Sequence, residues 1–323
     1  MIIDGLCADY SSPYCPCILA ETGDCVVCSQ VNGSDFCDCK ISGGFCVRQE
    51  LIRNGGKAKP GRKTYECRVT TVLPFEGLVF LRVQVPYELE NEVKRPGGFV
   101  FVRRKDADVW FDTPISVMYE EMHVGSIGMS ILLRGVKTSQ FADLAQGDTL
   151  LVRGPYMSGL LGLQHIEKQQ AGKCLVLAKG IGLLPSMAVV RYLQSKHNEV
   201  EVHLDEGGFP ASIQKFCLDL FDLHYQAANL LDSAGQLREE TKATILRFAV
   251  SGGTLIHVGG SEYVIHKVAE YIETVGLGAI RLSACNNANM CCGEGICGAC
   301  TETTAGKRVI HHCKEQVNPR KIR

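Results

Sequence analysis

Residues 290–300 read Met290-Cys291-Cys292-Gly293-Glu294-Gly295-Ile296-Cys297-Gly298-Ala299-Cys300, and the next cysteine is Cys313. Counted from Cys292 the spacing is C-x4-C-x2-C-x12-C, the plant-type pattern of thiolates around a two-iron, two-sulfide cluster. Backbone N–H groups hydrogen-bond to such a cluster, so the loop must close on it tightly, and Gly293, Gly295 and Gly298 permit that approach. A structural zinc site is the alternative for four thiolates, but it usually draws on two close cysteine pairs. One tight triple and a distant single fit a [2Fe–2S] centre held by Cys292, Cys297, Cys300 and Cys313 better. Cys285 and Cys291 are then spare thiols. A centre of this kind carries one electron at a time, so the rest of the chain must hold what feeds it.

The 323 residues leave room for two or three domains. A hydrophobic content of 46% matches an ordinary globular protein, and a net charge of −1 gives no argument for nucleic-acid or membrane-surface binding. Cysteine is the unusual component: of 17, eight lie from Cys7 to Cys46 and six from Cys285 to Cys313. The first residues, Met1-Ile2-Ile3-Asp4-Gly5, carry no basic and apolar leader, and no apolar run is long enough for a membrane span. The expectation is a cytoplasmic chain whose clustered thiols serve metal or redox chemistry rather than disulfides.

In chain order, residues 1–52 form a cysteine-rich module with little hydrophobic periodicity, and residues 53–63 a basic linker. The linker reads either as a solvated connector or as a landing patch for an acidic carrier such as a ferredoxin. Residues 64–157 carry short β-type runs at 69–73, 78–85, 99–102, 126–133 and 149–152, which predict a small antiparallel barrel. One short helix is expected over 139–144. Residues 170–283 alternate β and α: strands at 174–178, 199–204 and 254–258, with helices to 195, over 211–223 and 236–249, and from 261 to 274. That is a doubly wound nucleotide-binding pattern. Its two glycine turns, Gly180-Ile181-Gly182 and Gly259-Gly260, follow strands and open helices, where ligands of such sheets bind. Residues 284–323 hold the C-terminal cysteine module. The fold class is therefore multi-domain: an antiparallel β-barrel, a doubly wound α/β domain, and small cysteine-rich modules at both ends.

A barrel, then a nucleotide domain, then a plant-type cysteine loop: this order resembles the ferredoxin–NADP reductase superfamily over about residues 65–313. Within it the chain is similar to the electron-transfer subunit of dihydroorotate dehydrogenase and to the small subunit of ferredoxin-dependent transhydrogenases. The flavin motif of that family appears as Thr113-Pro114-Ile115-Ser116, with Thr113 where the family carries an arginine. The resemblance implies FAD in the barrel, Ile115 on the isoalloxazine and Ser116 at flavin N5 as the residue nearest the chemistry. Arg103, Arg104 and Arg134 are the candidates to replace the missing arginine. Pro96-Gly97-Gly98-Phe99 resembles the family's strand entry, and Gly135-Val136-Lys137-Thr138 its phosphate turn, with Thr138 near the pyrophosphate. Gly154-Pro155 resembles the barrel's close. Gly180-Ile181-Gly182-Leu183-Leu184-Pro185 resembles the nicotinamide turn, with Lys179 replacing a glycine; Gly259 and Gly260 stand where the family has Cys-Gly-Pro.

The implied activity is oxidoreductase electron transfer between NAD(P)H and a one-electron carrier, through FAD and [2Fe–2S]. The carrier is a ferredoxin or a partner flavoprotein or iron–sulfur subunit. The reading from a different class is a non-catalytic metal-bearing regulatory or assembly subunit on a reductase scaffold. Asp205-Glu206, at a strand end, reads as a ribose contact or a solvated turn, and His311-His312 as surface residues. The resemblance does not reach Cys15, Cys17, Cys25, Cys28, Cys37, Cys39 and Cys46. Their close pairs suit metal, because both thiolates face one point at little loop-closure cost. A further iron–sulfur cluster, most simply a cubane, is favoured over zinc, with the ligand subset left open.

Overall fold

The computed structural model describes residues 6–38, 44–118, 125–207, 209, 211–303 and 309–321; Cys39 lies outside the described residues. The N-terminal stretch contributes only β1 (Leu6–Cys7), α1 (Ile18–Glu21) and α2 (Val47–Arg53). Its buried cluster is small, Cys15, Ala20, Cys25 and Val47. So little apolar area cannot fix 50 residues by itself.

From Thr64 the runs of β-branched and aromatic residues become β2 (Thr64–Phe75), β3 (Leu78–Gln84), β4 (Phe99–Arg104), β5 (Thr113–Met118), β6 (Ser126–Leu132) and β7 (Thr149–Tyr156). They close into a barrel in the order β2-β3-β6-β5-β4-β7, all neighbours antiparallel. Alternate side chains such as Val69, Val83, Val102, Met129 and Val152 fill its interior. Short helices α3 (Tyr87–Val93) and α4 (Val136–Ser139) bridge its strands. The helix expected over 139–144 is thus the earlier turn α4. The sequence reading also passed over β5, because Pro114 interrupts its pattern.

The remaining elements are β8 (Leu160–Leu161), α5 (Leu163–Glu167), β9 (Lys173–Lys179), α6 (Leu183–Ser195), β10 (Glu199–Asp205), α7 (Ala211–Phe221), β11 (Gln226–Ala227), α8 (Glu239–Val250), β12 (Gly253–Gly259), α9 (Glu262–Thr274) and β13 (Arg281–Cys285). They form one sheet, β11-β10-β9-β12-β13-β8, parallel except for β8. Central β9 is buried from Cys174 to Ala178, as a strand covered on both faces must be. Leu78, Phe80 and Met118 of the barrel join Leu183, Leu184 and Met187 of α6 in one apolar cluster, so the sheet packs directly on the barrel. No helix among the described residues is long and apolar enough to cross a membrane.

The chain ends with hairpin β14 (Thr301–Thr303) and β15 (Val309–His311), then β16 (Glu315–Gln316), which pairs antiparallel with β1. Beside that ladder lies a buried ionic knot. The Lys314 ammonium, 0% exposed, donates to Asp9 at 2.6 Å and to Glu294 at 2.7 Å. Arg62, 3% exposed, pairs with the same two carboxylates. Its guanidinium lies 4.3 Å from the Tyr14 ring and 4.2 Å from the Tyr156 ring. Burial alone would raise the Asp9 carboxyl, but Arg62 and Lys314 outweigh it and hold the group below its ordinary range.

The linker's basic residues differ in their surroundings. Arg62 is inside the knot, while Lys57 pairs with Glu21 and Lys59 with Glu50. Removing one member of a buried charge set leaves its partners uncompensated, typically at about 3–5 kcal/mol. Lys314→Met is expected to lose stability on that scale in urea unfolding. Combining it with Asp9→Asn is expected to cost clearly less than the two single changes added together; simple additivity would show that the two groups are not coupled.

Candidate functional site

Where β5 faces α6, a cleft of about 370 Å³ opens between barrel and sheet. It gathers Pro114, Ser116 and Thr138 from the barrel with Gly182, Gly260 and Cys285 from the sheet. Strand alternation decides which side chains face it. Ile115 and Val117 pack into the barrel core, so β5 offers Pro114 and Ser116 outward; Ile115 borders the cleft while its side chain belongs to the core. Thr113 is buried, and its hydroxyl donates to the Lys137 carbonyl at 3.2 Å. Thr138 accepts from the Arg134 and Gly135 N–H groups at 3.0 and 3.2 Å, which fixes the turn at the cleft's edge. Gly154 does not line the cleft: a Cβ there would stand 3.0 Å from Val100 and 3.3 Å from Leu89, so its place is in packing. Of the candidate arginines, Arg103 pairs with Asp112 and Arg104 with Asp106 and Asp143; Arg134 is exposed at the turn.

The two glycine turns touch. A Cβ on Gly182 would lie 2.3 Å from the Gly259 carbonyl carbon and 2.4 Å from the Gly260 nitrogen. Only hydrogen fits there, and the contact brings the N-termini of α6 and α9 to the same cleft. Beneath them His257, fully buried, sits between the hydroxyls of Ser186 at 3.2 Å and Ser283 at 3.0 Å, and burial pushes it down to about 3, so it is neutral. Cys285, read from sequence as a spare, lines the cleft, and burial pushes its thiol up to about 12.

On the other side of the Gly180 turn, a cavity of about 590 Å³ opens at the carboxyl ends of β9, β10 and β11. Glu206, Asn229, Arg238 and Glu240 are among its walls. Asp205 is neither a solvated turn nor a free carboxylate there. It is buried, takes the Lys179 ammonium at 2.5 Å and the Leu230 N–H at 2.8 Å, and so ties β9 to the segment after β11.

The C-terminal cysteine loop lies on the outside of the same barrel. Met290, Cys300 and Cys313 pack against Phe99, Phe101 and Tyr156. Gly293, at φ +74°, is pressed onto that aromatic face: a Cβ would stand 2.4 Å from Tyr156 and 2.8 Å from Phe101. Arg153 donates to the Cys292 carbonyl at 3.2 Å and is itself fixed by Asp112 at 3.0 Å.

Within the loop, Cys313 lies in hydrogen-bonding range of both Cys292 and Cys300, and Cys292 in range of Cys297. Backbone N–H groups aim at the sulfurs: Glu294 at Cys292 (3.3 Å), Gly295 at Cys313 (3.2 Å), and Ala299 at Cys297. A Cys313 thiol within reach of both Cys292 and Cys300 holds each of them below the ordinary thiol range, and the Glu294 N–H adds to this at Cys292. Among the described residues no three His, Cys, Asp or Glu side chains are drawn together as a lone metal ion would need. The linked row of four thiols, ringed by N–H donors, is a donor set that fits a thiolate-bound cluster. His312, read from sequence as a surface residue, is instead buried, with Nε2 2.8 Å from Glu302.

No family model matches the chain. It is 29% identical over 125 residues to the sulfhydrogenase 1 gamma subunit of Pyrococcus furiosus, which covers 39% of this chain and 40% of that relative. It is 27% identical over 168 residues to a probable dihydroorotate dehydrogenase B (NAD(+)) electron transfer subunit of Pyrococcus horikoshii, 51% of this chain and 60% of that one. The matched stretch thus spans about half the length of these curated relatives. Among solved structures, an NADH-dependent reduced ferredoxin–NADP oxidoreductase studied for flavin-based electron bifurcation superposes with TM-score 0.57 at 17% identity, over 78% of this chain and 86% of that one. A ferredoxin NADP+ reductase from Neisseria gonorrhoeae, with bound FAD and NADP, gives 0.50 at 13%, over 69% and 98%.

The contact between the glycine turns makes a prediction that needs no ligand. Gly182→Ala is expected to lose about 1–3 kcal/mol in chemical denaturation, the usual scale of overpacking. Gly260→Ala, whose Cβ would meet Val264 at an ordinary 3.4 Å, is expected to stay close to the parent. Equal stabilities for the two variants would show that the turns separate freely.

Proposed function

We propose that this chain, which is built on the fold of the ferredoxin–NADP reductases, transfers electrons between NAD(P)H and a one-electron carrier by way of FAD and a [2Fe–2S] centre. The observation that carries the reading is the meeting of Pro114, Ser116 and Thr138 with Gly182 and Gly260 in one cleft, on a barrel whose outer face seats the four-cysteine loop. When bound, a flavin accepts a hydride's two electrons and gives them up singly, and a two-iron centre carries them one at a time. The chain's own part is to hold the reactants in place. Pro114 and Ser116 face the ring from β5, and Ser116 offers the only hydroxyl of that strand turned to the cleft. Two helix N-termini, behind Gly182 and Gly260, favour the nicotinamide phosphates. The cavity past Gly180 has the position and size for the far half of a dinucleotide. Cys292, Cys297, Cys300 and Cys313 hold the cluster. Likeness to a sulfhydrogenase subunit and to an electron transfer subunit supports a ferredoxin or a partner subunit as the acceptor.

Purified anaerobically, the protein is expected to show mixed flavin and iron–sulfur absorbance that NADH or NADPH bleaches. The extracted chromophore is expected to be FAD; FMN, or no flavin from riboflavin-rich cultures, would count against the barrel site. Cys297→Ser is expected to remove two irons and the matching reduced-state EPR signal while flavin is retained. Full chromophores with no bleaching by either nucleotide would favour a regulatory or assembly subunit instead.

A further inference from the structure

Seven cysteines of the N-terminal module compete as ligands by spacing alone, and the structure separates the six described ones; Cys39 lies outside the described residues. Cys15 and Cys25 are buried in the module's small core, and Cys28 packs against it. Cys17 is half-buried at the N-cap of α1, within electrostatic reach of Cys15, Cys25 and the Lys314 ammonium. The Val27 and Cys28 N–H groups point at the Cys25 sulfur, and that of Ser11 at Cys15. Asn32 closes the loop by donating to the Cys25 carbonyl at 2.7 Å, while its own N–H reaches the Cys28 carbonyl. Cys37 and Cys46, by contrast, are exposed. Cys7, buried in the β1–β16 ladder, is also within electrostatic reach of Cys17, and its sulfur takes the Asp9 N–H at 3.4 Å.

The module meets the C-terminal cysteine loop close to Cys17. Leu19, two residues after Cys17, touches Gly295 between Cys292 and Cys297: a Cβ on Gly295 would lie 2.7 Å from its Cδ1. Ala8 donates to the carbonyl of Lys314, the residue after Cys313, at 2.6 Å. Lys314 therefore lies between Cys17 and the C-terminal cysteines.

We propose that Cys15, Cys17, Cys25 and Cys28 are the four thiolate ligands of a second iron–sulfur cluster, seated against the C-terminal cysteine loop. Its redox role rests on the function proposed above; the ligand set does not. A zinc staple would also hold the module together, but it gives no reason to bury the thiol set against a second one. With both centres loaded, one electron leaves the C-terminal centre, which is oxidised, and reduces the N-terminal one; NAD(P)H is the source. The module then forms the port through which electrons pass to or from the carrier.

The test uses the full chain, purified anaerobically, with iron, acid-labile sulfide and zinc counted per flavin. Cys28→Ser is the main variant because that thiol is only partly buried; Cys25→Ser is the stricter one. Both are expected to lower iron from about six to about two per chain, as loss of a cubane beside a two-iron centre requires. Cys37→Ser and Cys46→Ser are expected to leave iron unchanged. In the reduced parent, magnetic interaction between the clusters is expected to broaden the EPR signal, and Cys28→Ser to sharpen it. Unchanged iron in Cys28→Ser, one zinc in place of four irons, or iron lost in Cys46→Ser but not in Cys28→Ser overturns the proposal. Cys297→Ser separates the two ideas. If it leaves iron intact while Cys28→Ser removes all of it, the C-terminal centre is wrong and the N-terminal one stands.

Discussion

Four charges, three of them buried and Glu294 partly exposed, hold the two ends of this protein together. Asp9 comes from the N-terminal module, Arg62 from the linker, Glu294 from inside the cysteine loop and Lys314 from just after it. Each would be costly to bury alone. Together they are neutral, two cations against two carboxylates, and Tyr14 and Tyr156 cover the guanidinium. A pair would have sufficed to neutralise charge; four, from segments so far apart in sequence, fix relative position. The module has too small an apolar core to be placed by hydrophobic contact alone. The knot thus complements the Leu19–Gly295 contact and the two-residue β1–β16 ladder, and the three together set the module on the loop.

The barrel has a different face for each neighbour. Its outward aromatic side chains, Phe99, Phe101 and Tyr156, seat the cysteine loop. On β5 the outward residues line the cleft that the sheet closes. Helix α6, which covers the sheet, meets the barrel there, with Leu183, Leu184 and Met187 packed among Leu78, Phe80 and Met118. The cleft is therefore shaped by apolar packing on one flank and by backbone-to-backbone contact of the glycine turns on the other. Polar chemistry is confined to a few side chains between them.

Local patterns made the barrel, the alternating sheet and the C-terminal cysteine loop readable, because each has a short period or a fixed spacing. Helix α6 ends at Ser195 and β10 begins at Glu199, as the sequence pattern places them. Strand β5 escaped notice because Pro114 breaks its pattern, although the motif within it drew attention to the same residues. What the sequence could not reveal was pairing at long range. Arg62 reads as one more basic residue of a linker, and nothing near it announces partners 53 and 232 residues away. Asp205 has the position of a ligand-binding acid, yet Lys179 occupies it. His312 sits in a polar run and is buried only because the hairpin returns Glu302 to it. The cysteines of the N-terminal module are too many for spacing to choose among, and only burial in the fold sets Cys15 and Cys25 apart from the exposed Cys37 and Cys46.

The pairing of Asp9 with Lys314 spans 305 residues, and this sets an order on biosynthesis. At about 5–20 residues per second, translation takes on the order of 15–60 s to travel that distance. Throughout that interval the N-terminal module is outside the ribosome while its seat has yet to be made. Its thiols then stand without the cover of Lys314, Leu19's partner loop and the closing strand. Docking of the module on the loop therefore cannot precede synthesis of Lys314. Any group that those thiols bind would have the length of one round of translation, and the time before docking, in which to reach them.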